Sequence, residues 1–204
     1  AGRDYRIRVR HGRSGIAILA PHGGRIERGT TPLAEAIAGQ DHTFYSFEGI
    51  KAELRQNRDL HITSDYFDEP RAVLTVARAH RVIAIHGAKG LEAAVYLGGL
   101  DTVLRRRVLT VLSETGFVAA DDPSPTRQGR GRTNICNRGP TGKGLQLELT
   151  LGLRKSLFLQ PEEGGSWHPS PLFLRLVSAV RWALSAYALT GVAPNEGRTR
   201  PRKL

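Results

Sequence analysis

At 204 residues with 40% hydrophobic side chains, the chain has one domain's worth of length and enough apolar content to bury a sizeable core, which excludes wholesale disorder. No apolar stretch approaches the length that spans a bilayer and no charged-then-apolar leader opens the chain, so a soluble protein is expected, cytoplasmic or released. Cys136 is the only cysteine, which excludes an internal disulfide framework and a thiolate zinc cluster, while 30 basic against 19 acidic residues give a net charge of +11 that favours an anionic partner.

Tyr5 to Arg10 alternates as Tyr-Arg-Ile-Arg-Val-Arg and predicts a half-exposed strand, turned by His11 to Gly15 into a second strand as an edge hairpin. That second strand, Ile16-Ala17-Ile18-Leu19-Ala20-Pro21, is continuously apolar, as strands buried on both faces of a parallel or mixed sheet are. It ends at His22, followed by Gly23-Gly24 and then Glu27. Thr30-Thr31-Pro32 reads as a helix start with a threonine cap, the helix running through Ala38 and stopping at Gly39. His42 to Phe47 and Asp59 to Thr63 read as strands, Pro70 to about His80 as a helix, and Val82 to Ile85 as a buried strand closed by His86.

Leu91 to Leu97 and Asp101 to Thr115 have helical periodicity, the second with Val103, Leu104, Val108, Val111 and Leu112 on one side. Asp121 to Thr133, rich in proline, glycine and arginine, predicts a mobile surface loop and a substrate-facing flap. Leu145 to Leu149 returns to strand alternation, and Pro171 starts a last helix, Leu172 to Leu189, capped by Gly191. Residues 193–204 read as a basic, disordered tail behind a domain spanning 1–192. Strands alternating with helices predict a single α/β domain, an open mixed and mainly parallel sheet with helices on both faces.

Ligand sites in such sheets gather at the carboxyl ends of the strands. His22, Glu27 and His86 delivered there match the two imidazoles and one carboxylate of an open zinc site. Geometry restricts the idea: in a continuous strand His22 and Glu27 point to opposite faces, and in a helix they lie about 140° apart. Only a turn brings both to one ion, and Gly23-Gly24 supplies it because glycine accepts positive φ. Taken alone, a strand-end histidine is more often a hydrogen-bonded structural residue than a ligand.

Five ordered motifs add to this: Pro21-His-Gly-Gly-Arg-Ile-Glu27, Phe44-Tyr-Ser-Phe-Glu-Gly49, Leu60-His-Ile-Thr-Ser64 with Phe67-Asp-Glu-Pro70, Ile85-His-Gly87 and Gly144-Leu-Gln-Leu-Glu-Leu149. Together, over roughly Gly15 to Arg154, they resemble the poly-γ-glutamate hydrolase family of bacteriophages and bacteria, zinc-dependent amidohydrolases with an open α/β, carboxypeptidase-like core. The resemblance implies that His22, Glu27 and His86 ligate zinc, and that Glu148 is the general base and acid. The strand pattern agrees with the second point: Leu147 and Leu149 face one way, so Glu148 projects from the other face, where partial desolvation raises its pKa. Solvent exposure or a pairing with Arg154 is the competing reading of that carboxylate.

For the substrate, Asn137-Arg138 resembles the pair that holds a carboxylate in carboxypeptidase-like enzymes, although it follows His86 instead of preceding the third ligand. Asn134, Arg130 and Arg132 are weaker candidates on the same loop. His61 is a candidate substrate contact or partner of a ligand, and Asp65 and Asp68 are candidates to orient a ligand imidazole, or else cap and turn residues before Pro70. The expected activity is hydrolysis of γ-glutamyl amide bonds in poly-γ-glutamate, by a zinc-dependent monomer using metal-activated water. The alternatives are a zinc amidohydrolase or carboxypeptidase acting on a small acylated amino acid or peptide, and a basic nucleic-acid-binding module. The last has only charge behind it, since Arg and Lys are spread along the chain without a nucleic-acid-binding motif, and genome composition explains an arginine excess equally well.

Overall fold

The computed structural model describes residues 2–159 and 168–188. Along the chain run β1 (Tyr5–Arg10), β2 (Ile16–Gly24), α1 (Thr30–Ala38), β3 (Thr43–Gly49), α2 (Pro70–Ala77), β4 (Arg81–Gly87), β5 (Ala94–Gly98) and α3 (Thr102–Glu114). They are followed by β6 (Val118–Asp121), β7 (Leu145–Leu149), α4 (Leu151–Ser156), β8 (Phe158–Leu159), β9 (His168–Pro169) and α5 (Pro171–Ala188), with 3₁₀ turns at Leu54–Leu60 and Ile135–Asn137. Seven strands form one mixed sheet in the order β1-β3-β2-β4-β7-β5-β6, and β8 pairs with β9.

The middle of that sheet, β3-β2-β4-β7, is parallel. Strands buried on both faces cannot alternate polar and apolar residues, which is why β2 and β4 read as unbroken apolar runs. One face carries Ile18, Ile83, Ile85, Leu145 and Leu147 under α1, α3 and α5. The other carries Ala17, Leu19, Tyr45, Val82 and Ala84 under Phe67, α2 and the Ile135–Asn137 turn. Leu33 and Ile37 place α1 on the first face, and full burial of each contributes roughly 1.5–3 kcal/mol.

Several local expectations give way to tertiary pairing. β1 forms no hairpin with β2; it lies antiparallel to β3, with Tyr5 opposite Gly49 and Arg10 opposite Phe44, and remains an edge strand. The cap of α1 is Gly29 in the left-handed region, φ 92°, because Thr30 Oγ1 donates to the Glu27 carbonyl instead. Asp59–Thr63 is no strand: a 3₁₀ turn runs through Leu60. Leu91–Leu97 is no helix, since Ala94–Gly98 pairs antiparallel with β7 and buries Val95 and Leu97. α2 stops at Ala77, and within α3 Val103 is exposed while Leu104, Val108, Val111 and Leu112 are buried.

The loop after β6 is tied down. Asn137 Nδ2 donates to the carbonyls of Gly129 and Gly131, Gln146 Nε2 donates to that of Arg127, and Gly99 N donates to that of Gln128. α5 begins at Pro171 as expected, while Gly191 and the tail 193–204 lie outside the described residues.

Candidate metal centre

The carboxyl ends of β2, β4 and β7 meet on one face of the sheet. In β4 and β7, His86 and Glu148 are register neighbours, so their side chains leave the same face one strand spacing apart, about 4.8 Å. His22 reaches that face through a β-bulge. Between the pairs Ala20/Ser46 and Gly23/Glu48 the strand carries one extra residue, so regular alternation from Ala17 and Leu19 no longer sends His22 toward α1. Its ring instead stacks on His61, centroids 3.9 Å apart, and meets the edge of Phe67 at 6.2 Å. Gly23 is required here because a Cβ would fall 2.3 Å from Thr31 Oγ1 and 2.4 Å from Ser46 Oγ.

Glu27 arrives by the fold-back that the diglycine permits. Gly24 takes φ +64°, Ile26 N donates to the Gly23 carbonyl at 3.3 Å, and Glu27 N donates to the His22 carbonyl at 2.9 Å. The carboxylate then accepts from Gly87 N at 2.8 Å through Oε2, while Oε1 lies 3.1 Å from His22 Nδ1 and 3.2 Å from His61 Nε2. His86 Nδ1 is 3.2 Å from His22 Nδ1 and 3.7 Å from Glu27 Oε2. Burial opposes the Glu27 charge, yet hydrogen bonds with His22, His61 and His86 outweigh it and hold this carboxyl well below its usual range.

The donor set fits a cation. A carbonyl only accepts, so the 2.6 Å contact of His22 Nε2 with the Ile62 carbonyl places a proton on Nε2 and leaves Nδ1 turned inward, able to donate to Glu27 when it carries a proton and to ligate a cation when it does not. His86 Nε2 faces Ser64 Oγ at 3.4 Å, and its Nδ1 also points inward. Two inward nitrogens 3.2 Å apart beside a buried carboxylate need a proton or a metal ion between them. His22 Nδ1, Glu27 Oε1 and His61 Nε2 also lie within 4.8 Å of one another, so the cluster holds four donors for an open three-ligand site. His22 and His86 are buried on strand ends, whereas the side chain of His61 is 44% exposed on a loop.

Glu148 sits beside this cluster and accepts from Gln146 Nε2 at 2.8 Å. Burial pushes its carboxyl up to about 7; His86 pulls against that shift, and the charges of Glu27 and Asp122 add to it. Arg127, gripped by Asp122 at 3.0 and 3.1 Å, and Arg154 are arginines whose charge reaches Glu148. Arg154 does not pair with that carboxylate. Its Nε, Nη1 and Nη2 donate to the carbonyls of Leu149, Arg28 and Ala88, pinning the Glu27 loop to the ends of β4 and β7.

Other expected site residues lie elsewhere. Asn137 spends its amide on structure: Oδ1 accepts from Leu100 N and Gly144 N, and Nδ2 holds the loop carbonyls, at the amino end of β7. Arg138 Nη1 is committed to the Phe67 carbonyl at 2.8 Å. Asp65 accepts from Thr133 Oγ1 and Asp68 is exposed, so the imidazoles are oriented instead by the Ile62 carbonyl and Ser64. Both partners lie in the Leu60–Ser64 motif, but a motif does not say which of its backbone or hydroxyl oxygens faces an imidazole. Gln146 was legible only as the residue two before Glu148 on an alternating strand.

With this geometry in place, comparison with known proteins is informative. The UPF0714 protein YndL of Bacillus subtilis (strain 168) is 36% identical over 159 residues, 76% of this chain and 61% of YndL. The SPbeta prophage-derived UPF0714 protein YoqZ of the same organism is 31% identical over 183 residues, 88% of this chain and 66% of that protein. The chain thus spans about three fifths to two thirds of the length of these curated relatives. Among solved structures, a bacteriophage poly-gamma-glutamate hydrolase superposes with a TM-score of 0.86 at 29% identity, covering 94% of this chain and 93% of that one. A zinc-free apo form of YndL gives 0.82 at 32% identity, covering 89% and 90%. The family model described as poly-gamma-glutamate hydrolase matches residues 1–170, and the chain belongs to that family.

Proposed function

We propose that this protein hydrolyses γ-glutamyl amide bonds of poly-γ-glutamate, with zinc held by His22, Glu27 and His86. The observation that supports it most is the convergence of inward-facing Nδ1 atoms of His22 and His86 with the Glu27 carboxylate, beside a second buried carboxyl at Glu148. When bound there, zinc lowers the pKa of water and polarises the amide carbonyl. Choosing His86 over His61 as third ligand rests on its burial, its place on a strand end and its oriented outer nitrogen.

The chain's own residues supply the rest. Ionised Glu148 would take a proton from a water in the site and return it to the leaving amine, burial raising its carboxyl toward the range that suits both transfers. Gln146 fixes the carboxylate by donating to Oε1. Ile62 and Ser64 hold the imidazole rings so that the inward nitrogens stay aimed. The printed names of the phage hydrolase and of zinc-free YndL point the same way. The decisive experiment couples metal analysis with a sizing assay on poly-γ-glutamate. Stoichiometric zinc with shortening of the polymer is the expected result. Turnover of small acylated amino acids without polymer cleavage would instead assign the site to the small-substrate reading.

A further inference from the structure

We propose that a cationic groove behind the Glu27 loop binds carboxylates of the polymer units flanking the scissile bond, an inference that rests on the poly-γ-glutamate reading above. The groove encloses about 460 Å³ and is lined by Arg25, Arg28, Arg154 and Lys155 over an apolar floor that includes Leu151 and Phe158. No acidic side chain lines it. Arg28 and Lys155 are exposed, and neither enters an ion pair among the described residues. Unpaired cations grouped around a concave apolar surface favour an anion that also carries hydrocarbon.

Groove and metal centre share a wall. Glu27 lies between Arg25 and Arg28 on one loop, its carboxylate turned to the histidines while the two arginines line the groove. Arg154 locks that wall through the Arg28 and Ala88 carbonyls, and Ala88 follows the glycine whose N–H binds Glu27. A strand of polymer lying across the carboxyl edge of the sheet therefore passes from one to the other. Each unit of a γ-linked glutamate chain offers two methylenes, which suit Leu151 and Phe158, and one carboxylate, which suits Arg28 and Lys155. A nucleic acid would match the charge, but its bases need exposed aromatic faces to stack on, and Phe158 packs against Phe173 at 5.3 Å.

The test uses the full chain. In a Glu148→Gln background, where the polymer is not consumed, poly-γ-glutamate is titrated against the protein with and without Arg28→Ala and Lys155→Ala. The double change is expected to weaken binding roughly tenfold, and the charge-preserving pair Arg28→Lys and Lys155→Arg to restore it. In the otherwise unmodified enzyme, the same double change raises KM for long polymer by a similar factor, with a smaller effect on kcat. Unchanged affinity of the double variant overturns the groove, and so does loss of affinity for a DNA oligonucleotide in place of the polymer. Polymer that binds through these residues but is never cleaved would sink the hydrolase reading while leaving the groove standing. Cleavage with unaltered binding would do the reverse.

Discussion

Glu148 keeps its proton in a pH range where exposed carboxyls have lost theirs, and the consequences for rate and stability have opposite signs. As the proposed base it must be ionised, so turnover of the zinc-loaded form is expected to rise with pH until Glu148 loses its proton, below the metal-free value of about 7 because a dication nearby favours the carboxylate. Glu148→Gln keeps the bond from Gln146 and removes the proposed base: zinc content is expected to stay and kcat to fall by about 10²–10⁴. For stability the folded carboxyl is shifted upward from its ordinary 4.5 to about 7, so between these values the folded state binds more protons than the unfolded one. Stability of the metal-free chain therefore declines as pH rises across that window, and thermal unfolding of Glu148→Gln should lack the decline. Of the three histidines beside Glu27, His86 and His61 are separable by substitution. His86→Ala is expected to abolish zinc retention on dialysis, whereas His61→Ala lowers affinity by about 10–100-fold at most. The reverse order would make His61 the ligand. At this scale Glu148 was legible because strand alternation exposes it on one face. For Asn137 and Arg138 the dipeptide did not reveal that their side chains bond to backbone carbonyls and amides.

The elements that carry the site were legible where burial alone determines the pattern. β2 and β4 are apolar runs because both faces of the sheet are covered there, whereas β7 alternates because Gln146 and Glu148 leave the face opposite Leu145, Leu147 and Leu149. β1 and β5 were misplaced for a different reason: pairing partners are chosen by topology, and nothing local says that β1 skips β2 to join β3. The apolar spacing of Leu91 to Leu97 suits either period, and pairing with β7 decided for the strand. The β2 bulge was also invisible, since Pro21-His22-Gly23 reads as an ordinary strand end, yet it is what turns His22 toward His86. Gly23→Ala tests this element. The added methyl collides with Thr31 and Ser46, so destabilisation of roughly 1–3 kcal/mol is expected. Thermal melting should fall by roughly 2–4 °C for each kcal/mol lost. An unshifted melting temperature would mean that α1 can retreat from the bulge.

Across the whole molecule, the proposed ligands come from three segments that the sheet and Arg154 fix without help from an ion. On the proposed reading, removing metal should therefore silence activity without unfolding the chain. Chelation is expected to abolish polymer cleavage while far-ultraviolet circular dichroism is retained, and added zinc to restore the rate. Loss of secondary structure on chelation would show that metal, not packing, organises the carboxyl ends of the strands. The sheet also divides unequal halves: α1, α3 and α5 supply the larger apolar cluster on one face, and the site faces the smaller one under α2. The candidate metal centre thus lies on the face opposite the one that buries the larger apolar cluster. Loops around the candidate site can diverge in length and charge while the core of the sheet stays untouched, so one frame can carry different surfaces at the carboxyl ends of its strands.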